Sequence, residues 1–232
     1  MTAQGTVRLS LVVGALLAAG VTTGCSAGPA SPTPASRCGG AIPASASATE
    51  VLRDAQGALD CSGGYTISVS GHNLVLPQWG GVDDGTVRVN AREPGARAVL
   101  RRTGDDSYTM LYVNSQTFFE RATCGHYARV PGGGSTVLAP FLWTTTNALV
   151  SGADAAIQSQ AGTTVTVAVT LAYLGQVTLE VDKATARPLK LVKSRDPGSG
   201  STSTWTFGAW GEEPHVVAPV SKGDQGPGGN PC

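Results

Sequence analysis

The sequence predicts a mainly β domain in which one large, curved antiparallel sheet is apolar on one side and packs against two or three helices. Apolar and polar residues alternate along most of the chain from residue 65 onward, as in strands with one buried face. Short runs of Gly, Pro, Asp and Asn separate these stretches, which is typical of antiparallel connections. Charged residues make up 14% of the chain, below the usual ~25%, while strand-forming Thr and Val are abundant.

The N-terminal stretch predicts export and a lipid anchor. Arg8 precedes an unbroken apolar run, Leu9 to Val21, and small residues then lead to Cys25. This order is typical of a signal peptide, here residues 1–24, and the run is shorter than the ~20 residues that span a bilayer. VTTGC also resembles the lipobox of bacterial lipoproteins, whose cysteine is acylated, with palmitate for example, although Thr22 stands where an aliphatic residue is more usual.

Two interpretations of Cys25 remain. As the acylated residue, Cys25 would hold the protein on the extracytoplasmic face of the cell membrane. The alternative is plain secretion, with Cys25 left as an ordinary thiol. Residues 25–46 are rich in Ser, Pro and Ala, so they are expected to form a tether that reaches roughly 25 Å. The folded domain is expected over 47–218, followed by a flexible tail, 219–232.

The cysteine count predicts two disulfides. Five cysteines are an odd number for an exported chain. If Cys25 carries lipid, an even set remains in an oxidising compartment: Cys38, Cys61, Cys124 and Cys232. Three pairings are possible, and the shorter loop slightly favours Cys38–Cys61 with Cys124–Cys232. A zinc site is the rival, but the closely spaced cysteine pairs of zinc knuckles are absent, so no metal is expected.

Two helices are predicted. Ser47 and Glu50 fit a capping box, apolar residues then recur at helical spacing, and Gly63-Gly64 stops the pattern, which predicts a helix over 47–60. Leucines at helical spacing predict a second helix over 137–150, with Pro140 in its first turn and Ser151-Gly152 at its end.

Strands are predicted in two groups, one on either side of the second helix. In the first group, residues 74–79 contain a proline and suit an edge or loop. The predicted strands are 65–70, 85–92, 96–103, 107–113, 116–122, 164–171, 177–182, 189–191 and 204–207. Five arginines on neighbouring strands are interpreted as a solvated face paired with carboxylates, with lipid headgroup binding as the alternative: Arg88, Arg92, Arg97, Arg101 and Arg102.

No enzyme is expected from the motifs. The chain lacks the sequence signatures of serine hydrolases, zinc proteases and nucleotide-binding loops. Its histidines, His72, His126 and His215, are scattered and are interpreted as surface or turn residues. The formal net charge is zero, which argues against nucleic acid as a partner. Catalytic residues and cofactors are therefore not predicted.

The apolar face of the sheet is wider than two helices can cover. Two helices cover roughly 20 Å, whereas nine or ten strands extend over about 40 Å or more. Either the core is fully packed, or a hollow receives acyl chains. The residues expected to line such a hollow are Leu142, Leu149, Val165, Val167, Val169, Leu179, Leu191 and Phe207.

Two stretches carry a family resemblance, LYVNSQTFFE at 111–120 and VTLEVDKATARPLKLV at 177–192. With the lipobox, tether and order of elements, the chain resembles the LppX/LprA/LprF/LprG lipoproteins of actinobacteria, relatives of LolA and LolB. The resemblance covers roughly 47–215 and implies a half-barrel closed by helices. Some members bind acylated glycolipids for transport across the cell envelope, and only Cys25 transfers as a functional residue. The four further cysteines lie outside the family pattern.

The function expected from the sequence is that of a monomeric, membrane-anchored lipoprotein that binds or carries a lipid or glycolipid in an apolar cavity. The alternative is a ligand-free surface lipoprotein that binds a protein or cell-wall partner. An internal apolar pocket would favour the lipid-binding lipoprotein. A packed core beside an exposed aromatic patch would favour the ligand-free surface lipoprotein.

Overall fold

The computed structural model describes residues 38–76, 80–93, 95–101, 107–130, 148–172, 174–193 and 202–220, all within one compact unit, Ser36–Cys232. These residues form one helix, α1 (Ala48–Asp60), and eleven strands. The strands are β1 (Gly64–Leu76), β2 (Gly80–Asn90), β3 (Gly95–Arg101), β4 (Tyr108–Val113), β5 (Gln116–Arg121), β6 (Ala128–Val130), β7 (Ala153–Ser159), β8 (Thr164–Leu171), β9 (Gly175–Asp182), β10 (Pro188–Lys193) and β11 (Thr202–Gly208).

The helix predicted over 47–60 is confirmed. The Glu50 N–H donates to Ser47 Oγ at 3.3 Å, and the Ser47 N–H donates to the Glu50 carboxylate at 2.7 Å, which is the capping box expected from the sequence. The other predicted helix, 137–150, lies outside the described residues except for 148–150, which form a turn.

All eleven strands belong to one open, curved antiparallel sheet, in the order β6-β5-β4-β3-β2-β1-β11-β10-β9-β8-β7. The first meander, β1 to β6, runs from the centre to one edge. The second, β7 to β11, starts at the opposite edge and returns to the centre, where β11 pairs with β1. The large antiparallel sheet predicted from the sequence is therefore confirmed.

Some strand boundaries differ from the prediction. β1 continues to Leu76 after a register shift between Ser70 and Leu74, so residues 74–76 belong to a central strand and not to an edge. Two strands, β6 and β7, were not predicted. β7 is an edge strand with mostly exposed side chains, so it lacks the apolar alternation that marks the other strands.

The sheet is buried on one side. Residues directly opposite each other on paired strands share a face. On one face they form a continuous apolar row across seven strands: Ala128, Phe119, Met110, Ala98, Val87, Ile67 and Phe207. A second row joins six strands: Val69, Trp205, Leu191, Leu179, Val167 and Ile157. We call this side the apolar face.

The segment 38–46, which the sequence assigned to the tether, is instead part of the domain. Cys38 is disulfide-bonded to Cys61 at the end of α1. The Ile42 N–H donates to the Lys183 carbonyl at 2.7 Å, and Ile42 and Ala46 are each only 7% exposed. The Ser- and Pro-rich composition did not predict this docking, because the docking depends on a disulfide and a few apolar contacts with distant residues. Residues 25–37 lie outside the described residues.

We expect the Cys38–Cys61 disulfide to stabilise the domain appreciably. The two residues are 23 apart in sequence, and closing a loop of that size contributes about 3 kcal/mol. The double variant Cys38→Ser/Cys61→Ser should melt about 10 °C below wild type in a thermal unfolding experiment. An unchanged melting temperature would contradict this expectation.

Cys124 is also disulfide-bonded, and its predicted pairing with Cys232 stays a prediction because Cys232 lies outside the described residues.

Candidate functional site

The residues predicted to line a hollow lie together on the apolar face. Within β8 to β11, six of them are between 0 and 5% exposed: Val165, Val167, Val169, Leu179, Leu191 and Phe207. Leu149 is also fully buried, whereas Leu142 lies outside the described residues.

Helix α1 covers the half of the sheet that contains these residues. It contacts β7, β8 and β10, and its Val51, Ala55 and Leu59 are fully buried. Because Val167 and Leu179 are 0% exposed, they are enclosed by protein atoms on all sides. The side chains between α1 and this half of the sheet therefore form a packed core. A ligand can enter here only if the helix and the sheet separate.

The half of the apolar face that lies beyond α1 is also buried. On β3 the inward residues Ala96 and Ala98 are small, and they lie in register with Val89 and Val87 of β2. Larger side chains, Met110 and Phe119, follow on β4 and β5. All six side chains are at most 2% exposed, so protein encloses this half of the face as well.

The chain between β6 and β7 connects opposite edges of the sheet, and its described end lies on the apolar face. Leu149 is buried there, and its N–H donates to Gln56 Oε1 of α1 at 3.2 Å. Gly152 packs against Val169 and Leu171 so closely that a Cβ atom at this position would overlap them. Residues 148–152 are thus fixed both to α1 and to the sheet.

Gln56 is the polar centre of this contact. It is 2% exposed, and its Nε2 donates to Asp60 Oδ1 at 2.9 Å. Burial raises the pKa of Asp60, and the hydrogen bond from Gln56 opposes that shift. A raised pKa means that the charged form is less stable in the folded state, so the contribution of Asp60 to stability decreases as pH rises through that pKa.

We expect Gln56→Ala to loosen the contact between α1 and residues 148–152. The change removes the acceptor of the buried Leu149 N–H, which costs about 2 kcal/mol and lowers the melting temperature by roughly 6 °C. Exchange of the Leu149 amide proton, followed by NMR, should become faster. Asp60→Asn is the matched control, because it keeps an acceptor for Gln56 Nε2 and should change little at neutral pH. Unaltered protection of the Leu149 amide in Gln56→Ala would contradict this account.

The opposite face of the sheet carries Arg88, Arg97 and Arg101. Arg88 and Arg97 lie opposite each other on β2 and β3. Arg101 pairs with Asp84 at 2.7 Å, and Arg92 pairs with Glu213 at 2.8 Å. Both ion pairs are exposed and contribute little to stability. The interpretation of a solvated, carboxylate-paired face is confirmed for Arg101. Arg92 is also paired, but it lies in the turn after β2 and not on a strand, and Arg102 lies outside the described residues.

Metal-ligating clusters and grooves are the other places where a site could lie in the described part of the chain. The described residues contain no group of three or more His, Cys, Asp or Glu side chains that could hold a metal ion. A groove of about 660 Å³ also lies at the end of the sheet, and its lining combines Arg92, Asn114 and His215 with apolar side chains such as Val113, Val216 and Val217.

Comparison with known proteins identifies the fold. No protein-family model and no curated protein sequence matches this chain. Among solved structures, the lipoprotein LppX of Mycobacterium tuberculosis superposes with a TM-score of 0.52 at 13% identity, covering 73% of this chain and 98% of LppX. LprF from Mycobacterium bovis superposes with a TM-score of 0.50 at 17% identity, and the match covers 78% of this chain and 99% of LprF. The chain has the LppX/LprF fold. The family resemblance expected from the sequence is thereby confirmed at the level of fold.

Proposed function

We propose that this protein is a membrane-anchored lipoprotein that binds a lipid or glycolipid against the apolar face of its sheet. The observation that carries the proposal is the continuous apolar face of an eleven-stranded sheet, on which α1 packs mainly against β7, β8 and β10. A helix is about 10 Å wide, whereas eleven strands at ~4.8 Å spacing extend over roughly 50 Å. The LppX/LprF fold supports the same proposal, because the LppX protein is a lipoprotein.

The half of the apolar face around β3 lies beyond the main contacts of α1, and we place the acyl chains there. Val87, Ala96, Ala98 and Met110 are at most 1% exposed, so a lipid can reach them only when the domain opens. An acyl chain that reaches this face leaves water for an apolar surface, which favours binding by about 25 cal/mol per Å².

A ligand-free surface lipoprotein is the second candidate. The full enclosure of Val167, Leu179 and Leu191 favours it, because a packed core leaves no room for a ligand in that half of the domain. The protein would then act through an exposed surface that binds a protein or cell-wall partner.

A pair of substitutions on opposite faces of β4 tests the proposal. Met110→Gln places an amide of nearly the same size and shape on the apolar face, whereas Thr109→Gln places it on the other face. The full-length protein in vesicles is incubated with a trace of fluorescent diacyl phospholipid, and the lipid retained on the captured protein is measured. Wild type and Thr109→Gln should retain lipid, and Met110→Gln should lose most of it. Because Met110 is 1% exposed, a buried amide at this position also lowers the melting temperature, so lipid retention is compared at a temperature at which circular dichroism shows that all three proteins are folded. Wild-type protein that retains no lipid would favour the second candidate.

A further inference from the structure

Two arginines carry like charges at directly opposite positions on the side of the sheet away from the apolar face, which we call the outer face. Arg88 of β2 lies opposite Arg97 of β3, and both side chains are exposed. Like charges in this arrangement, with Cβ atoms about 5 Å apart, destabilise a sheet. Arg101 on the same face is paired with Asp84, whereas neither Arg88 nor Arg97 forms an ion pair with any residue in the described part of the chain. An anion between the two guanidinium groups would relieve their repulsion.

The residues around this arginine pair add hydrogen-bond donors and no acidic side chain. The next row of the outer face places the exposed hydroxyls of Thr86, Ser68 and Thr206 side by side across β2, β1 and β11. The row of the arginines continues with Thr66 and Gly208. Hydroxyl and guanidinium groups both donate to phosphate oxygens, and an arginine can do so through two parallel hydrogen bonds. This part of the outer face therefore suits phosphate groups.

The arginine pair lies near the end of the sheet at which the N-terminal arm joins the domain. Cys38 is disulfide-bonded to Cys61, three residues before β1 begins. Arg88 lies opposite Thr66, the third residue of β1. The twelve residues between Cys25 and Cys38 can extend over about 45 Å at most. An anchor at Cys25 would therefore hold this end of the sheet within reach of the membrane surface.

We propose that the outer face around Arg88 and Arg97 docks on anionic phospholipid headgroups of the membrane that carries the protein. The inference rests on the membrane anchor of the proposed function, and it concerns the face opposite the lipid-binding side. One headgroup phosphate accepts hydrogen bonds from both guanidinium groups, and the neighbouring hydroxyls donate to further headgroups. Because the anchor keeps the arginine pair beside this surface, headgroups reach it at a higher effective concentration than a free anion does. Docking gives the tethered domain a defined orientation on the membrane.

Chemical modification of the arginines tests the docking. The acylated full-length protein is reconstituted in vesicles of phosphatidylcholine, or of equal amounts of phosphatidylcholine and phosphatidylglycerol. Phenylglyoxal, which reacts with exposed guanidinium groups, is added, and peptide mass spectrometry gives the rate at each arginine. In the anionic vesicles Arg88 and Arg97 should each react about fivefold more slowly, the factor that corresponds to the attraction of one arginine by an anionic surface. Arg101 should change less than about twofold, because Asp84 already neutralises it.

Arg97→Glu is the matched variant. A carboxylate at this position faces Arg88 across the two strands, so the repulsion is replaced by an attraction and the melting temperature should not decrease. The difference between the two kinds of vesicle in the reaction rate of Arg88 should disappear.

Three results would overturn the docking while leaving lipid binding by the apolar face intact. They are equal rates in both kinds of vesicle, equal slowing at Arg88, Arg97 and Arg101, and the same slowing of the pair by inorganic phosphate in phosphatidylcholine vesicles, which would assign it to a free anion. If the wild-type protein does not remain on either kind of vesicle, the membrane anchor of the proposed function fails, and the docking fails with it.

Discussion

Val167→Asp is expected to unfold the domain. Val167 is 0% exposed and lies between Leu179 and Ile157 in register, beneath α1. A carboxylate in this position has no partner and no access to water, so the substitution costs more than about 4 kcal/mol. Domains of this size have a total stability of about 5–15 kcal/mol. Circular dichroism at 25 °C and a thermal scan should show that most or all of the cooperative transition is lost.

The adjacent residue provides the control for this substitution. Ala168 points to the opposite face of β8 and is partly exposed, so Ala168→Asp should melt within a few degrees of wild type. If Val167→Asp also melts near the wild-type temperature, the core beneath α1 is not packed. A hollow that water can reach would then extend to β8. This result is expected of a lipid carrier whose cavity lies beneath α1.

Cys25→Ala is expected to release the protein from the membrane. The lipobox resemblance predicts that Cys25 is acylated, and two or three acyl chains would contribute ~0.8 kcal/mol for each buried CH₂, far above the marginal binding of a single chain. Among the residues that the structure describes, no helix is long and apolar enough to cross a membrane. Fractionation of cells should move the variant almost entirely from the membrane to the soluble or secreted fraction.

Metabolic labelling with a palmitate analogue accompanies the fractionation. Wild type and the neighbouring control Ser26→Ala should incorporate the label, and Cys25→Ala should not. A Cys25→Ala protein that remains in the membrane and still carries the label would refute the anchor.

Local signals in the sequence predicted the helix and most strands. The capping box of Ser47 and Glu50 is formed within four residues, so it does not depend on tertiary structure. The alternation of Val165, Val167 and Val169 predicted a strand with one buried face for the same reason. What the sequence did not predict are features that depend on distant residues: the pairing of β1 with β11 at the centre of the sheet, and the docking of residues 38–46.

The candidate site was predictable only in part. Alternation indicates which residues share a face, and the structure brings the described candidates together on it. Whether Val167 is enclosed depends on α1, which packs on β8 although the two elements are far apart in the sequence.

The central claim is that a lipid lies against the apolar face, and native mass spectrometry of the full-length protein tests it most directly. The protein is extracted from its own membrane in a mild detergent and measured intact, then again after denaturation. We predict a native species that exceeds the denatured, acylated chain by the mass of one lipid, which fragmentation then identifies. Native and denatured masses that are identical, with no lipid released, would contradict the account.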